Sequence, residues 1–297
     1  MRSPAEMSII QIEITNACPN QCSNCTRLVG HYRKPFFMDF DTFKKAVDSL
    51  VDFPGMVGIM GGEPTIHPQF PLFLEYYQQK IQPKERRGLW TSFTPQYYKY
   101  FDLIKDVFGF ECQNDHKKPS KHQPILVAAK DVIKDEDLMW QLIDKCWIQN
   151  LWSASITPKG AFFCEVAAAF DMIFDGPGGW EIDPEWWKKK PEDEDFQHQI
   201  KTWCPNCGAA IPLFRRKTSD IIDDVSKSNL ERLKSLRSPK VEKKKICYFD
   251  ESKYDLKNFS NWSPRVDWYI DEDDQRRSFR NTLKIKARNL IRKLRQK

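Results

Sequence analysis

Long apolar runs are missing from this 297-residue chain. The longest candidate, Ala161 to Phe174, is interrupted by Glu165 and Asp171. That excludes a bilayer-spanning helix, which needs about 20 consecutive apolar residues. The first ten residues, MRSPAEMSII, lack the apolar core of a secretory signal, which implies a cytoplasmic chain. No internal repeat is visible, so a stacked-repeat architecture is not expected. Histidine is scarce, and His31, His67, His116, His122 and His198 show no ligand spacing. Each therefore reads as solvated or structural.

Hydrophobic residues make up 40 % of the chain and charged residues 30 %, with a mean hydropathy of −0.63. Such a chain builds one large soluble domain, or one domain with a smaller appendage. The net charge of +6 is unevenly placed: Arg276 to Lys297 carries ten Lys/Arg and no acid, so the remainder is net negative. In that tail Phe279, Leu283, Ala287, Leu290 and Leu294 recur at helical spacing among basic residues. This predicts a basic amphipathic helix, suited to peripheral contact with an anionic membrane surface or to a partner. Basic charge confined to a tail is too little for a nucleic-acid assignment. Nine cysteines in a reducing compartment are expected to be thiols or metal ligands, not disulfides.

Strand and helix patterns alternate. Ser8 to Thr15, Met56 to Met60, Arg87 to Phe93, Phe108 to Cys112 and Ile125 to Ala129 read as strands. Asp39 to Val51, Gln69 to Lys80, Pro95 to Val107 and Asp135 to Trp147 read as helices. The alternation predicts an α/β fold with a parallel sheet. Further on, Trp152 to Ile156 and Ala161 to Cys164 flank Pro158-Lys159-Gly160 as a hairpin. The expected organisation is an α/β unit over 1–145, a small Cys-rich appendage over 146–215, and a polar extension over 216–297.

Cys18, Cys22 and Cys25 place three thiols in eight residues, directly after a strand. Three thiolates on one loop suit three corners of a cubane iron–sulfur cluster and leave the fourth iron open. A zinc knuckle usually has two-residue spacing and four ligands, and an electron-transfer cluster needs a fourth cysteine nearby. The second motif, Gly61-Gly62-Glu63-Pro64, follows the next strand. Alone, such a turn is ordinary strand-to-helix chemistry. Paired with the cysteine loop, each at the C-terminal end of a strand, it marks the end where parallel-sheet proteins place ligands.

These two motifs, CxxxCxxC and GGEP, resemble those of the radical S-adenosylmethionine (radical SAM) superfamily. The resemblance covers about residues 8–145 and implies a partial (β/α)6 TIM-like barrel. It implies a [4Fe–4S] cluster on Cys18, Cys22 and Cys25 whose open iron binds SAM. It also implies that Gly61, Gly62, Glu63 and Pro64 line the methionine end. One electron, from a donor such as flavodoxin or ferredoxin, then yields a 5′-deoxyadenosyl radical that takes a hydrogen atom from substrate. Family members often carry an aromatic residue before the third cysteine. Asn24 stands there in this chain, which puts the adenine contact in doubt. Thr91 and Ser92 lie where a third strand end meets SAM or substrate, and turn chemistry explains them as well.

Cys146, Cys164, Cys204 and Cys207 form a second group. A cysteine before a hairpin, one at its end and a later CxxC resemble the SPASM/Twitch auxiliary-cluster region of radical SAM enzymes, in its short form. Cys204-Pro-Asn-Cys207-Gly also has the look of a zinc ribbon, so the group is read as a second [4Fe–4S] cluster or zinc. Cys112 and Cys247 remain. Buried free cysteines are usually small apolar residues, but a thiol also donates hydrogen atoms, and Cys247 is the candidate for that role. Glu165 and Asp171 read as partners for a hydroxylated substrate or as ordinary acids. The Trp-rich region, Trp140 to Trp203, reads mostly as core. The expected activity is an epimerase or oxidoreductase acting on a sugar or glycan-linked small molecule. A peptide-modifying maturase and a zinc-dependent nucleic-acid-binding module are the alternatives.

Overall fold

Alternation along the first strand decides the architecture. In β1 (Ile9–Thr15) the odd and even residues differ in kind: Ile10, Ile12 and Ile14 alternate with Gln11, Glu13 and Thr15, and all six are buried. Both faces of the strand are therefore covered, one by an apolar layer and one by a polar layer. A computed structural model describes residues 1–114, 120–151 and 153–254. It places β1 at the centre of a six-stranded sheet. The other strands of that sheet are β2 (Met56–Gly61), β3 (Arg87–Thr91), β4 (Phe110–Gln113), and, after the two-residue β5 (Lys121–His122), β6 (Ser153–Thr157) and β7 (Gly160–Phe162). Their order is β4-β3-β2-β1-β6-β7. All neighbours run parallel except β6 and β7, which form an antiparallel hairpin.

Helix α1 (Phe40–Asp48) begins at Asp39, whose carboxylate accepts from Thr42 N–H (2.8 Å). α2 (Phe70–Lys80) packs against it through stacked Phe43 and Phe73 rings, 4.1 Å apart. The Tyr77 hydroxyl donates to the Val57 carbonyl and so ties α2 to β2. With Ile10, Ile12, Ile14, Val57, Ile59 and Leu89 these residues belong to one apolar core.

Several expectations need correction. The helix expected over 95–107 is two helices, α3 (Pro95–Lys99) and α4 (Phe101–Val107). They part at Tyr100, whose N–H is shared between Gln96 and Tyr97 carbonyls and whose ring packs on Phe70. The strand expected at 125–129 is a turn leading into α5 (Ala129–Val132). Its backbone groups are claimed by the C-terminal half of the chain: Gly208 N–H donates to Ile125 O, Ser226 N–H to Leu126 O, and Ser226 Oγ accepts from Ala128 N–H. No edge is left for a strand partner there. α6 (Glu136–Asp144) stops before Cys146, and α7 (Trp147–Leu151) is separate.

The hairpin assigned to an appendage is instead continuous with the sheet. β6 pairs with β1 in parallel register, Gln11 opposite Ser155 and Ile12 opposite Ile156. α8 (Glu165–Ile173) and α9 (Glu194–Trp203) follow. Trp186 and Trp187 are core residues whose indole N–H groups donate to Ser49 at the end of α1. The polar stretch after residue 215 is folded as far as residue 254. It contains β8 (Arg216–Lys217), β9 (Asp223–Val225), α10 (Lys227–Ser235), α11 (Pro239–Glu242) and β10 (Ile246–Tyr248). β8 pairs with β5, and β9 with β10. Among the described residues no helix is long and apolar enough to cross a membrane. Trp152, His116 and the basic tail from Phe279 to Leu294 lie outside the described residues.

Candidate active site

Two turns meet at the C-terminal ends of β1 and β2. Gly62 N–H donates to the Thr15 carbonyl (2.7 Å) and Glu63 N–H to the Ala17 carbonyl (2.8 Å). A Cβ on Gly61 would lie 1.9 Å from Thr15 O, and one on Gly62 2.3 Å from Ala17 O. The paired glycines are thus what lets the second motif press against the stem of the cysteine loop. Gly61 also has φ +149°, a conformation essentially closed to other residues.

Glu63 is fully buried. Its carboxylate accepts from Thr65 N–H and Oγ1, from Thr91 Oγ1, and from Ser92 N–H and Oγ, at 2.6–3.2 Å. It therefore ties the end of β2 to the end of β3. Thr91 and Ser92 serve that tie, and Asn20 of the cysteine loop joins it by donating to Ser92 Oγ (3.2 Å). Pro64 opens the short turn that follows.

Cys18, Cys22 and Cys25 are all half-buried on the one loop. Burial pushes the Cys18 thiol up to about 12, helped by the neighbouring Cys25 and Cys22 sulfurs. It pushes Cys22 up to about 11, again with Cys25 close by. For Cys22 the nearby Lys240 ammonium offsets only part of this rise, and a metal centre bound to thiolates would take the protons' place. Asn24, between the second and third cysteines, is buried at φ 49°. Its amide pairs with Asp224, accepting from Asp224 N–H (2.9 Å) and donating to Asp224 Oδ2 (2.9 Å). The side chain that stands before the third cysteine is thus held by β9.

Beyond the loop, Arg27 lies over the polar face of the sheet. It donates from Nη2 to Gln11 Oε1 (2.7 Å) and Glu165 Oε2 (2.9 Å), with Nε 3.4 Å from Glu13 Oε1. Ser155 Oγ donates to Glu13 (2.7 Å). Burial raises the Glu13 pKa despite Arg27 beside it. Arg27 is itself buried, and its two carboxylate partners more than offset that desolvation and hold its charge. Among the described residues Arg27 Nη1 and Gln11 Nε2 have no hydrogen-bond partner. Of this group only Glu165 stands out in the sequence as a candidate. Gln11, Glu13 and Arg27 had one visible signal: polar residues alternating with isoleucines in a strand buried on both faces. Asp171 is instead paired with Lys159 (3.0 Å) and caps the Gly178 N–H (3.0 Å), a loop-holding role.

Cys146, Cys164, Cys204 and Cys207, with Phe170 and Trp203, line a cavity of about 30 Å³. Cys146 and Cys164 are buried, the CxxC pair half-buried. Burial pushes Cys164 up to about 12, with the Cys146 thiol adding to it. Cys204 and Cys207 rise well above the ordinary value for the same reasons. The four come from the end of α6, the start of α8 and the end of α9. Among the described residues no three His, Cys, Asp or Glu side chains close on a point that one metal ion could occupy. Cys247 lies on β10, paired with Asp224 of β9, outside the six-stranded sheet, and Cys112, on the edge strand β4, pairs with Trp90 of β3.

No family model and no curated protein matches this chain. Among solved structures it is similar to the crystal structure of BtrN in complex with AdoMet and 2-DOIA. That match has 17 % identity and a TM-score of 0.40, and covers 67 % of this chain and 88 % of that one. It is also similar to SeMet BtrN in an open conformation, at 16 % identity and a TM-score of 0.37, over 67 % and 86 % of the two chains.

Proposed function

We propose that this chain is a radical SAM enzyme with its cluster on Cys18, Cys22 and Cys25. The observation that carries the proposal is the seam between the two motifs: Gly62 and Glu63 N–H groups bonded to the Thr15 and Ala17 carbonyls. That seam puts a three-thiol loop and a Gly-Gly-Glu turn side by side at the C-terminal ends of adjacent parallel strands, where such sheets carry their ligands. The donor set fits a cubane with one open iron. Each thiolate of a cubane binds a different iron, so the sulfurs stand farther apart than around one ion.

With a cluster and SAM bound there, one electron from an external donor would cleave SAM to methionine and a 5′-deoxyadenosyl radical, which would take a hydrogen atom from the substrate. The chain's own residues hold the reactants. Gly61 and Gly62 bring the backbone of the second turn against the loop, and Glu63 fixes that turn to Thr91 and Ser92. The polar face with Gln11, Glu13, Arg27, Ser155 and Glu165 is the substrate side. A face so rich in donors and acceptors suits a hydroxylated molecule, such as a sugar or glycan-linked compound, and an epimerase or oxidoreductase reaction. The strands are read as part of an open (β/α) barrel curving around that face. Cys247 stands as a candidate hydrogen donor, and an unchanged product from Cys247→Ala would remove it.

The second cysteine group is read as an auxiliary [4Fe–4S] site. Its four thiols line one cavity, a donor set that a second cluster or a zinc ion would use. Electrons are proposed to come from a flavodoxin or ferredoxin.

The test is iron, sulfide and zinc per chain on anaerobically prepared protein, beside a Cys18/Cys22/Cys25→Ala variant. The expected result is about eight irons, falling to about four in the variant, with SAM-dependent 5′-deoxyadenosine formed only by the unaltered protein. Zinc without iron, even after reconstitution, would overturn the reading.

A further inference from the structure

The Cys22–Cys25 turn is held from outside its own part of the chain. Ser23 N–H donates to the Thr218 carbonyl (3.0 Å), and Ser23 Oγ accepts from Ile222 N–H (2.9 Å). Asn24 N–H donates to Asp223 Oδ1, while its side chain pairs with Asp224. The Cys22 carbonyl accepts from Lys240 Nζ (2.9 Å). Three consecutive residues of the loop are therefore bonded to a segment about 200 positions away.

The centre of this arrangement is a buried charge cluster. Lys240 is 1 % exposed and Asp223 1 %. Lys240 Nζ donates to both Asp223 oxygens (2.8 and 2.9 Å) as well as to Cys22 O. An ammonium has three donors, and all three are used. His31 bridges Asp223 Oδ2 (2.7 Å) and Ser238 Oγ (2.7 Å). Gly30 makes room, since a Cβ there would lie 2.4–2.9 Å from the Lys240 side chain. Buried ion pairs are costly to assemble and are poor devices for stability alone. This one is spent on two backbone groups of the cysteine loop, the Cys22 carbonyl and the Asn24 N–H. Asn24 sits in the left-handed region, which persists in a non-glycine residue only where its surroundings hold it.

We infer that Lys240 and Asp223, with Asn24, are positioning residues that hold the turn between Cys22 and Cys25 in its ligand-binding shape. The segment from Arg216 to Tyr248 thus belongs to the site and is not an independent extension. The inference builds on the proposed cluster for its iron readout alone.

The experiment has two arms. In metal-free protein, hydrogen exchange reads the Ser23 and Asn24 amides. In reconstituted protein, competition with an iron chelator reads how tightly the loop holds its iron. The variants are Asn24→Ala, Lys240→Met, and Lys240→Met/Asp223→Asn, which removes both charges and so avoids stranding a buried one. Lys240→Arg is the conservative control. The expected result is exchange at Ser23 and Asn24 faster by about tenfold or more, with core amides of β1 and β2 unmoved. Iron affinity at Cys18, Cys22 and Cys25 falls about 10- to 100-fold, as for residues that orient metal ligands, and Lys240→Arg recovers part of it. Unchanged loop exchange in Asn24→Ala and the double variant overturns the inference. So does faster exchange with unchanged iron affinity. If the unaltered protein takes up no iron, the functional reading fails, while the exchange arm still decides whether the clamp exists.

Discussion

A methyl group at Gly61 has nowhere to go. It would overlap the Thr15 carbonyl at 1.9 Å, on a backbone with φ +149°. Neither contact yields by turning a side chain, because the obstruction is main chain. Gly61→Ala is therefore expected to cost about 2–4 kcal/mol, combining overpacking with backbone strain. Urea unfolding measures it, and a midpoint equal to that of the unaltered protein would show that β1 and β2 do not meet as described. Glu63 illustrates how a residue's neighbours qualify its sequence reading. A carboxylate beside a glycine pair looks free to greet an ammonium, yet it already accepts from Thr65, Thr91 and Ser92. Its first role is to join two strand ends.

Helix α1 was legible because its signals are local. Asp39 caps it, and Phe43 and Val47 fall on one face. The Asp39 carboxyl is held below its ordinary range, chiefly by the Thr42 hydroxyl and then by backbone N–H groups. A depressed carboxyl adds stability that is present above its unfolded pKa and is lost as pH falls through the folded one. Asp39→Ala is expected to cost about 1 kcal/mol at neutral pH and close to nothing in acid, below both values. Denaturant titrations at neutral and acid pH check this, and an equal loss at both pH values would rule out the charged cap. The segment at 125–129 misled for the opposite reason. Its apolar residues suit a strand, but Gly208 and Ser226 take its hydrogen bonds from far along the chain.

At the scale of the molecule, the four cysteines around the second cavity join α6, α8 and α9. The metal centre proposed there would act as a staple whose removal loosens all three. Chelation is expected to lower the melting temperature of the unaltered protein, by about 2–4 °C for each kcal/mol lost in a chain of this size. A Cys204→Ala/Cys207→Ala variant is expected to start lower and to ignore the chelator. Equal chelator sensitivity in both proteins would show that the cavity holds no metal.

The sequence by itself determined which elements carry local signals: β1, α1, β2, α2 and the hairpin after residue 152. It also determined where the chemistry-bearing residues stand, because cysteine spacing and a glycine pair are short-range patterns. Only the tertiary structure decided what surrounds them. Arg27 between Glu13 and Glu165, β6 returning beside β1, and Lys240 reaching Cys22 all join residues more than a hundred positions apart, except for the nearby Glu13 and Arg27. Such contacts leave no periodicity to read. The stretch after residue 215 looked featureless because its buried residues, such as Asp223, Asn229, Ser238 and Lys240, are polar. They are burial-worthy only through partners that folding brings to them, and a polar residue's partner is not written beside it in the chain.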